Sequence, residues 1–438
     1  MVALGCGTAE SRDEQATGGR AGRGAGGAES AAGSGSTSTV VEPRRPFATT
    51  YAEYLSGSIT PTGDPEERTA ATTAAYDEWK ARYVAPGCGA GRSVVLTSID
   101  DDNLTLSEGI GYGLLATAYF SGHDPEAQEI FDGLYGVVRD HPTSASNYLM
   151  AWYLDLDCEP RFEGELAEVS STDADLDVAY ALLLADSQWG SCGAIDYRAE
   201  AERVIAAIGV HDVDPSEQFL LLGDWAEAAP WDDVMRSSDF VPGHLDAFAA
   251  ATDAELWTDL NDALFASFAL LQAERAPETG LFPDYLLDPT GTPAPATGGE
   301  FEAADAAYSW NACRLPWRLG VDALTRRDSQ ARDLLAPLTD WARDVTDGEP
   351  LHLRAGYTLD GEALPDSDFA TMAFIAPLGV AALLDDEHRP WLDAIWEAVV
   401  AAEPEGYYED SLRLLSMIAM SGHWWVPEAN AEDCGLED

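Results

Sequence analysis

Lysine is almost missing: Lys80 is the only one in 438 residues, and the other basic side chains are arginines. Against 24 basic residues stand 78 acidic ones, a formal net charge of −54. Such a surface repels phosphate backbones and anionic membranes, so nucleic acid is excluded as a partner. It is compatible with a plain solvated acidic face, with adaptation to salty surroundings, or with attraction for a cationic polymer. Long apolar runs are missing too. No stretch reaches the roughly eighteen apolar residues of a membrane-spanning helix. Cysteine is scarce, at six. Cys88, Cys158, Cys192, Cys313 and Cys434 stand far apart, none in a CxxC pair or beside histidines at zinc spacing. A disulfide framework and a zinc site are thereby excluded; buried thiols, or one or two bridges, remain. GxGxxG, the P-loop, HExxH and GxSxG are also absent, which removes the commonest nucleotide, zinc-protease and serine-hydrolase readings. Nothing in the sequence calls for a cofactor or a metal.

What is there is a long chain, 46% hydrophobic, with ample material for one large core. From Phe47 on, its dominant period is helical. "TDADLDVAYALLLADSQW" puts Leu176, Ala179, Tyr180, Leu183 and Leu184 on one face. Thr172 and Asp175 give it a start like a capping box. "HDPEAQEIFDGLYGVV" offers Asp124 as N-cap and Pro125 in the first turn. "TDAELWTDLNDALFASFALLQAER", "DSQARDLLAPLTDWARDV" and "RPWLDAIWEAVVAAE" are further amphipathic helices. Strand-like runs are few, "RSVVLTS" being the clearest. A chain of helices joined by acidic, glycine-containing loops predicts a large all-α domain.

The first residues differ in kind. In "MVALGCGTAES", Cys6 follows a short run of small and apolar residues, and Gly, Ala, Ser and Thr fill the chain to about Thr39. This resembles the end of a bacterial lipoprotein signal, with Cys6 as the lipidated residue, although a basic start and a longer apolar region are missing. Lipid anchor or plain tail, residues 1–46 read as a signal remnant and flexible linker. Residues 47–430 then form the body and residues 431–438 an acidic tail. The expected protein is extracytoplasmic and monomeric.

Chemistry has to come from carboxylates set among aromatics. Sugar rings stack their C–H faces on Trp and Tyr, and carboxylates bind hydroxyls and cleave glycosidic bonds. Thirteen Trp and sixteen Tyr make a sugar cleft possible. Three stretches stand out. In "LTLSEGIGYGLLATAYF", Glu108 opens an apolar helix. Desolvation there raises a carboxyl's pKa, which suits a general acid; alternatively Glu108 only complements a helix N-terminus. In "SSTDADLDVAYALLLADSQWG", Asp173, Asp175 and Asp177 alternate at a helix start, as capping charges or with one facing a cleft. A calcium loop fits less well, because helix follows at once with no glycine turn or distal Glu. In "GEFEAADAAYSWNACRLPWR", Glu300, Glu302 and Asp305 precede a buried aromatic stretch, and Arg314 and Arg318 flank Pro316 and Trp317.

At these stretches the sequence resembles glycoside hydrolase family 8. "SEGIGYGLL" is similar to the family's acid-bearing segment. "STDADLDVAYALLLADSQW" is similar to its signature, departing at Ser171 and Val178. "YSWNACRLPWRLGVD" is similar to the segment that follows. "YDEWKARYV", "SNYLMAWYLD", "RSSDFVPGHLDAFAA", "TGLFPDYLLD" and "YYEDSLRLLSMIAMSGHWWVP" agree in order, from about Tyr76 to Pro427. The resemblance implies an (α/α)6 barrel of six inner and six outer helices. It implies inverting endo-hydrolysis of β-1,4 glycans, with β-glucan as the polysaccharide partner and chitosan as the rival substrate. It implies Glu108 as general acid, Asp173 as the aspartate binding the ring at the cleaved subsite, Trp152 as a stacking residue and Arg314 near the catalytic water. Tyr112, Asn311 and Asp239 join them as substrate-binding positions. One branch of the family carries an aspartate base where this chain has Asn311, and an amide cannot take a proton from water at neutral pH. The other branch also has Asn there and draws its base from a loop glutamate just upstream. On that pattern Glu302 is the expected base, with Glu300 second and Asp305 in reach; Asp239, where the first branch tends to carry Tyr, points the same way. A non-catalytic glycan-binding lipoprotein is the rival reading that Asn311 keeps open.

Overall fold

Among the described residues, twelve α-helices follow one another with little between them but loops, short 3-10 turns and short strand pairs. The computed structural model describes residues 42–98, 103–216, 218–326 and 330–428. The chain runs α1 (Pro65–Tyr83), β1 (Val84–Pro86), β2 (Ser93–Val95), β3 (Thr105–Leu106), α2 (Ser107–Tyr119), α3 (Ala127–Asp140), β4 (Tyr153–Leu154), α4 (Thr172–Trp189) and α5 (Tyr197–His211). It continues β5 (Val234–Arg236), α6 (Pro242–Thr252), α7 (Glu255–Arg275), β6 (Tyr285–Leu287), β7 (Ala294–Pro295), α8 (Leu315–Thr325), α9 (Gln330–Val345), α10 (Met372–Ala382), α11 (Arg389–Ala401) and α12 (Tyr407–Met420). Among the described residues, no helix is long and apolar enough to cross a membrane. Cys6 and residues 431–438 lie outside the described residues. The chain is already held at Arg44, whose N–H donates to Gln188 O at 3.0 Å.

Helices α2, α4, α6, α8, α10 and α12 pack in that order, and α12 returns to α2, which closes a ring. Each is backed by one helix of an outer layer: α3, α5, α7, α9, α11 and α1 respectively. This is the (α/α)6 barrel. Sequence character sorts the layers. Every residue of α2, α4 and α10 is buried, because an inner helix is covered on all sides. Outer helices bury one stripe; in α7 it is Trp257, Leu260, Asn261, Leu264, Phe265, Ser267, Phe268 and Leu271. A close inner contact uses the "GIGYG" of α2. A Cβ on Gly111 would lie 3.0 Å from the Asp177 Cβ of α4, and one on Gly113 would lie 2.7 Å from Val95 Cγ2. Bare backbone there lets α2 lie close against α4 and β2.

Local starts differ from expectation in instructive ways. Helix α4 begins at Thr172, but its cap is Ser171, which makes no side-chain cap bond. The Thr172 hydroxyl donates to Leu221 O instead, at 2.6 Å, and the Ser171 hydroxyl to Asp173 Oδ1 at 2.8 Å. Tertiary partners have claimed the groups that a capping box would use. Asp124 stands two residues before the cap of α3; its carboxylate accepts the Glu126 N–H at 2.9 Å and pairs with Lys80 at 2.7 Å. Three small antiparallel sheets carry the loops: β1–β2, β3–β4 and β5–β6–β7. A disulfide joins Cys88 to Cys158 across 70 residues and ties the β1–β2 turn to the loop after β4.

Candidate active site

Pairing of β3 with β4 sets Leu106 opposite Tyr153, and the Ser107 N–H donates to Trp152 O at 2.9 Å. That register carries the Trp152 indole to the first turn of α2. Its Nε1–H donates to both carboxylate oxygens of Glu108, at 2.8 Å each. The Ser107 and Ser171 hydroxyls lie 3.4 Å from the same carboxylate. Glu108 is 7% exposed. Burial pushes its carboxyl up and the negative charge of Asp173 adds to it; Arg236 and the Trp152 bond pull it part of the way back, to about 7. A helix N-terminus favours the ionised form, yet the net shift is upward, so desolvation wins over the macrodipole. A carboxyl poised near 7 still carries protons at neutral pH and can deliver one.

Asp173 lies beside Glu108 and has the opposite fate. It is fully buried at the start of α4, between two arginines. Arg236 Nη2, from the end of β5, donates to Asp173 Oδ1 at 2.7 Å and to Ser171 Oγ at 3.0 Å. Arg314 Nη1, just before α8, pairs with Asp173 Oδ2. Burial pushes Asp173 up, but Arg236, Arg314 and Arg318 together outweigh it and hold the carboxyl below its usual range. One carboxyl is poised near neutrality while its neighbour stays ionised, so the two differ in what they can do chemically. Arg314 is itself shared: its Nη2 donates to Ser238 Oγ at 2.6 Å and to Asn311 Oδ1 at 2.8 Å, and Nη1 lies 3.3 Å from the Tyr112 hydroxyl. Asp239 is buried against Arg236, with Nε to Oδ1 at 2.8 Å. Burial first, and then the charge of Asp173, still raise it to about 7 despite that arginine. Asp239 is thus tied into the arginine cluster.

Asn311 sits where a turn is gripped by one buried carboxylate, Asp284. Asp284 Oδ1 accepts the backbone N–H groups of Ser309, Asn311 and Ala312 at 3.1, 3.0 and 2.7 Å. Asn311 Nδ2 faces its other oxygen at 3.4 Å. Burial lifts Asp284 to about 7 against the pull of those N–H groups. Upstream, Glu300 and Glu302 are exposed on the loop that leads from β7 to this turn. Asp305 is not equivalent to them: its carboxylate accepts the Glu302 N–H at 2.7 Å, which closes the loop on itself. Burial raises its pKa, and it stands half in the interior.

Glu108, Trp152, Asp173, Tyr112, Arg314, Asn311 and Asp239 are therefore joined in one network. Asp175 and Asp177 turn elsewhere, so the three aspartates of α4 do not converge on one ion. Asp177 takes Arg318 in two bonds, 2.6 and 2.9 Å, and His244 at 3.0 Å. Asp175 lies against Asp212 and Asp224, and burial with those like charges raises it well above the usual carboxylate range. Two residues of the network escaped the sequence reading, Arg236 and Asp284. Asp284 is a lone ionisable residue among apolar neighbours in "LFPDYLL", and that isolation is the signal that marks a buried polar partner; Arg236, in "DDVMRSSD", carries no such local signal.

The profile of the glycosyl hydrolases family 8 matches residues 66–422. A "Beta-glucanase" of Niallia circulans is 38% identical over 88% of this chain and 92% of its own. An "Endoglucanase" of Bacillus sp. strain KSM-330 is 31% identical over 80% of this chain and 76% of its own. Among solved structures, the apo β-1,3-1,4-glucanase of Paenibacillus sp. X4 superposes with a TM-score of 0.83 at 38% identity, covering 88% of this chain and all of that one. The chain belongs to the glycosyl hydrolases of family 8 and is a glycoside hydrolase.

Proposed function

We propose that the enzyme hydrolyses β-1,4 linkages within cellulose-like or mixed-linkage β-glucan, with inversion. The observation that carries this reading is the pair Glu108 and Asp173. One buried carboxyl is held near 7 and its neighbour is held ionised by two arginines. Glu108 gives its proton to the glycosidic oxygen as the C1–O bond breaks. Charge that develops on the sugar ring faces the Asp173 carboxylate, which Arg236 and Arg314 fix in place. A water attacks C1 from the opposite face, and Glu302 takes its proton. The product is the anomer of inverted configuration. Room for that water requires carboxyls about 6.5–9.5 Å apart. Asn311 and Arg314 would orient the water, and Trp152 would offer an apolar ring beside the acid it holds. The Cys88–Cys158 bridge suits an oxidising compartment, which supports work outside the cytoplasm; anchorage through Cys6 belongs to the same proposal.

The test compares reducing ends released from barley β-glucan, carboxymethylcellulose and chitosan by wild type, Glu108→Gln and Glu302→Gln. β-Glucan is expected to be cleaved fastest, and each variant to lose about 10²–10⁴-fold. No release by wild type would make this a glycan-binding protein. Chitosan as the best substrate would overturn the choice of glucan. A full rate for Glu302→Gln would overturn the base.

A further inference from the structure

The loop expected to carry the base contains one large apolar side chain. In "TGGEFEAADA", Phe301 stands between Glu300 and Glu302 among glycines, alanines, a threonine and an aspartate. Both glycines adopt positive φ, 75° at Gly298 and 62° at Gly299, so this entry to the loop is a turn built for glycine. Backbone bonds hold the loop's two ends to β6. Ala296 N–H donates to Tyr285 O, and Tyr285 N–H to Asp305 O, at 2.9 Å each. Between those ends, the Phe301 ring packs edge-on against Trp231, with centroids 5.8 Å apart and planes at 79°, and lies 6.0 Å from Tyr285. Trp231 in turn meets Trp225 edge-on at 5.6 Å. Trp225 follows Asp224, whose carboxylate accepts the Ser170 N–H at 2.9 Å. Ser170 precedes Ser171, which touches both Glu108 and Asp173. A row of rings thus spans from the chain beside the acid to the chain that bears the acidic loop. Edge-to-face contacts of this kind have a preferred geometry.

We infer that Phe301, clipped onto Trp231, is a positioning residue that fixes the Glu302 carboxylate at its distance from Glu108. The inference rests on Glu302 as the base. Phe301 is half-buried whereas Glu300 and Glu302 on either side are exposed, so the ring is what grips this tip of the loop to Trp231. An inverting enzyme depends on the gap between its two carboxyls, since one water must fit there. The bonds from Glu302 N–H to Asp305 and from Phe301 N–H to Gly298 O lie within the loop and fix its own shape; without the ring contact to Trp231 the loop could still shift as a unit and let the gap vary. A misplacement of about 1 Å can cost about 10²-fold.

The test uses the full chain and barley β-glucan. Phe301→Ala is expected to lower kcat at least tenfold with KM changed less than threefold. Phe301→Tyr, which keeps the ring, is expected to stay within threefold of wild type. Trp231→Ala is expected to reproduce the kcat loss, and the double variant to add little to either single one. Circular dichroism reports whether each variant is folded; should Phe301→Ala not fold, Phe301→Leu, which keeps bulk without the edge contact, carries the same expectation. An unchanged kcat overturns the inference. So does a raised KM at unchanged kcat, which would make Phe301 a sugar contact, and so does a loss that Phe301→Tyr fails to restore. Glu302→Gln, measured alongside, separates the two readings. If it is inactive while Phe301→Ala is normal, only the clip is wrong. If it is fully active, the base assignment falls first.

Discussion

Replacing Trp152 with Phe should move the pH profile toward the alkaline side. The indole N–H donates to both oxygens of Glu108 and so favours the ionised form of the acid. Phe keeps a ring at the site, so Glu108 stays buried while the donor disappears. A hydrogen bond to a charged group contributes about 1.5–3 kcal/mol. At about 1.4 kcal/mol per pKa unit, its loss raises the Glu108 pKa by about one to two units. The acid works protonated, so activity falls as pH rises through this pKa. In kcat/KM against pH, which reports the free enzyme, the basic limb should shift upward from near 7 by that amount. The acidic limb does not depend on this bond and should not move. Plateau height is a poorer readout, because a sugar stacked on the indole would lose contact as well. A basic limb that stays in place, or that moves down, would show that the Trp152 N–H does not favour the ionised form of Glu108.

Two further predictions concern stability. Arg318 is buried and neutralises Asp177 through two bonds, so Arg318→Met should destabilise the fold by about 3–5 kcal/mol at neutral pH in urea denaturation, with Asp177→Asn in the same background recovering part; a cost below about 1 kcal/mol would refute a buried ion pair that matters. Asp177 is held below the usual carboxylate range, because Arg318 and His244 outweigh burial; its contribution is present above the unfolded pKa and vanishes as pH falls through the folded one, so the variant's deficit should shrink in acid. The net charge of −54 predicts a melting temperature that rises between 0.1 and 1 M NaCl, as the Debye length falls from about 10 to about 3 Å; no gain would mean that self-repulsion is not limiting.

Periodicity made the scaffold legible. "TDADLDVAYALLLADSQW" is α4 from end to end, and the helical runs read around residues 255–275 and 389–401 are α7 and α11. Glu108 was legible as a carboxyl entering an apolar helix, because burial, the largest cause of its shift, is visible in the local sequence. The rest of the site is made of contacts over long sequence distances: Arg236 and Arg314 reach Asp173 across 63 and 141 residues. No local period encodes such a pairing. The caps failed for the same reason. Ser171 and Thr172 have the residue types of a helix start, but their hydroxyls serve Asp173 and Leu221 O. The partner of Cys88 was equally hidden, 70 residues away.

An amide at position 311 suits the groups on both sides of it. Its Nδ2 points at Asp284 Oδ2, and its Oδ1 accepts from Arg314. Donor and acceptor are both used, in opposite directions. A carboxylate at this position would satisfy Arg314 but would set a second negative oxygen against Asp284, about as close as the amide nitrogen is now. One of the two acids would then have to keep a proton. Asp284 cannot simply withdraw, because its other oxygen binds three backbone N–H groups of the turn that carries position 311. In this chain the amide lets the turn keep Asp284 beside position 311 with no proton shared between two acids. The proposed base, Glu302, lies on an exposed loop outside that pairing.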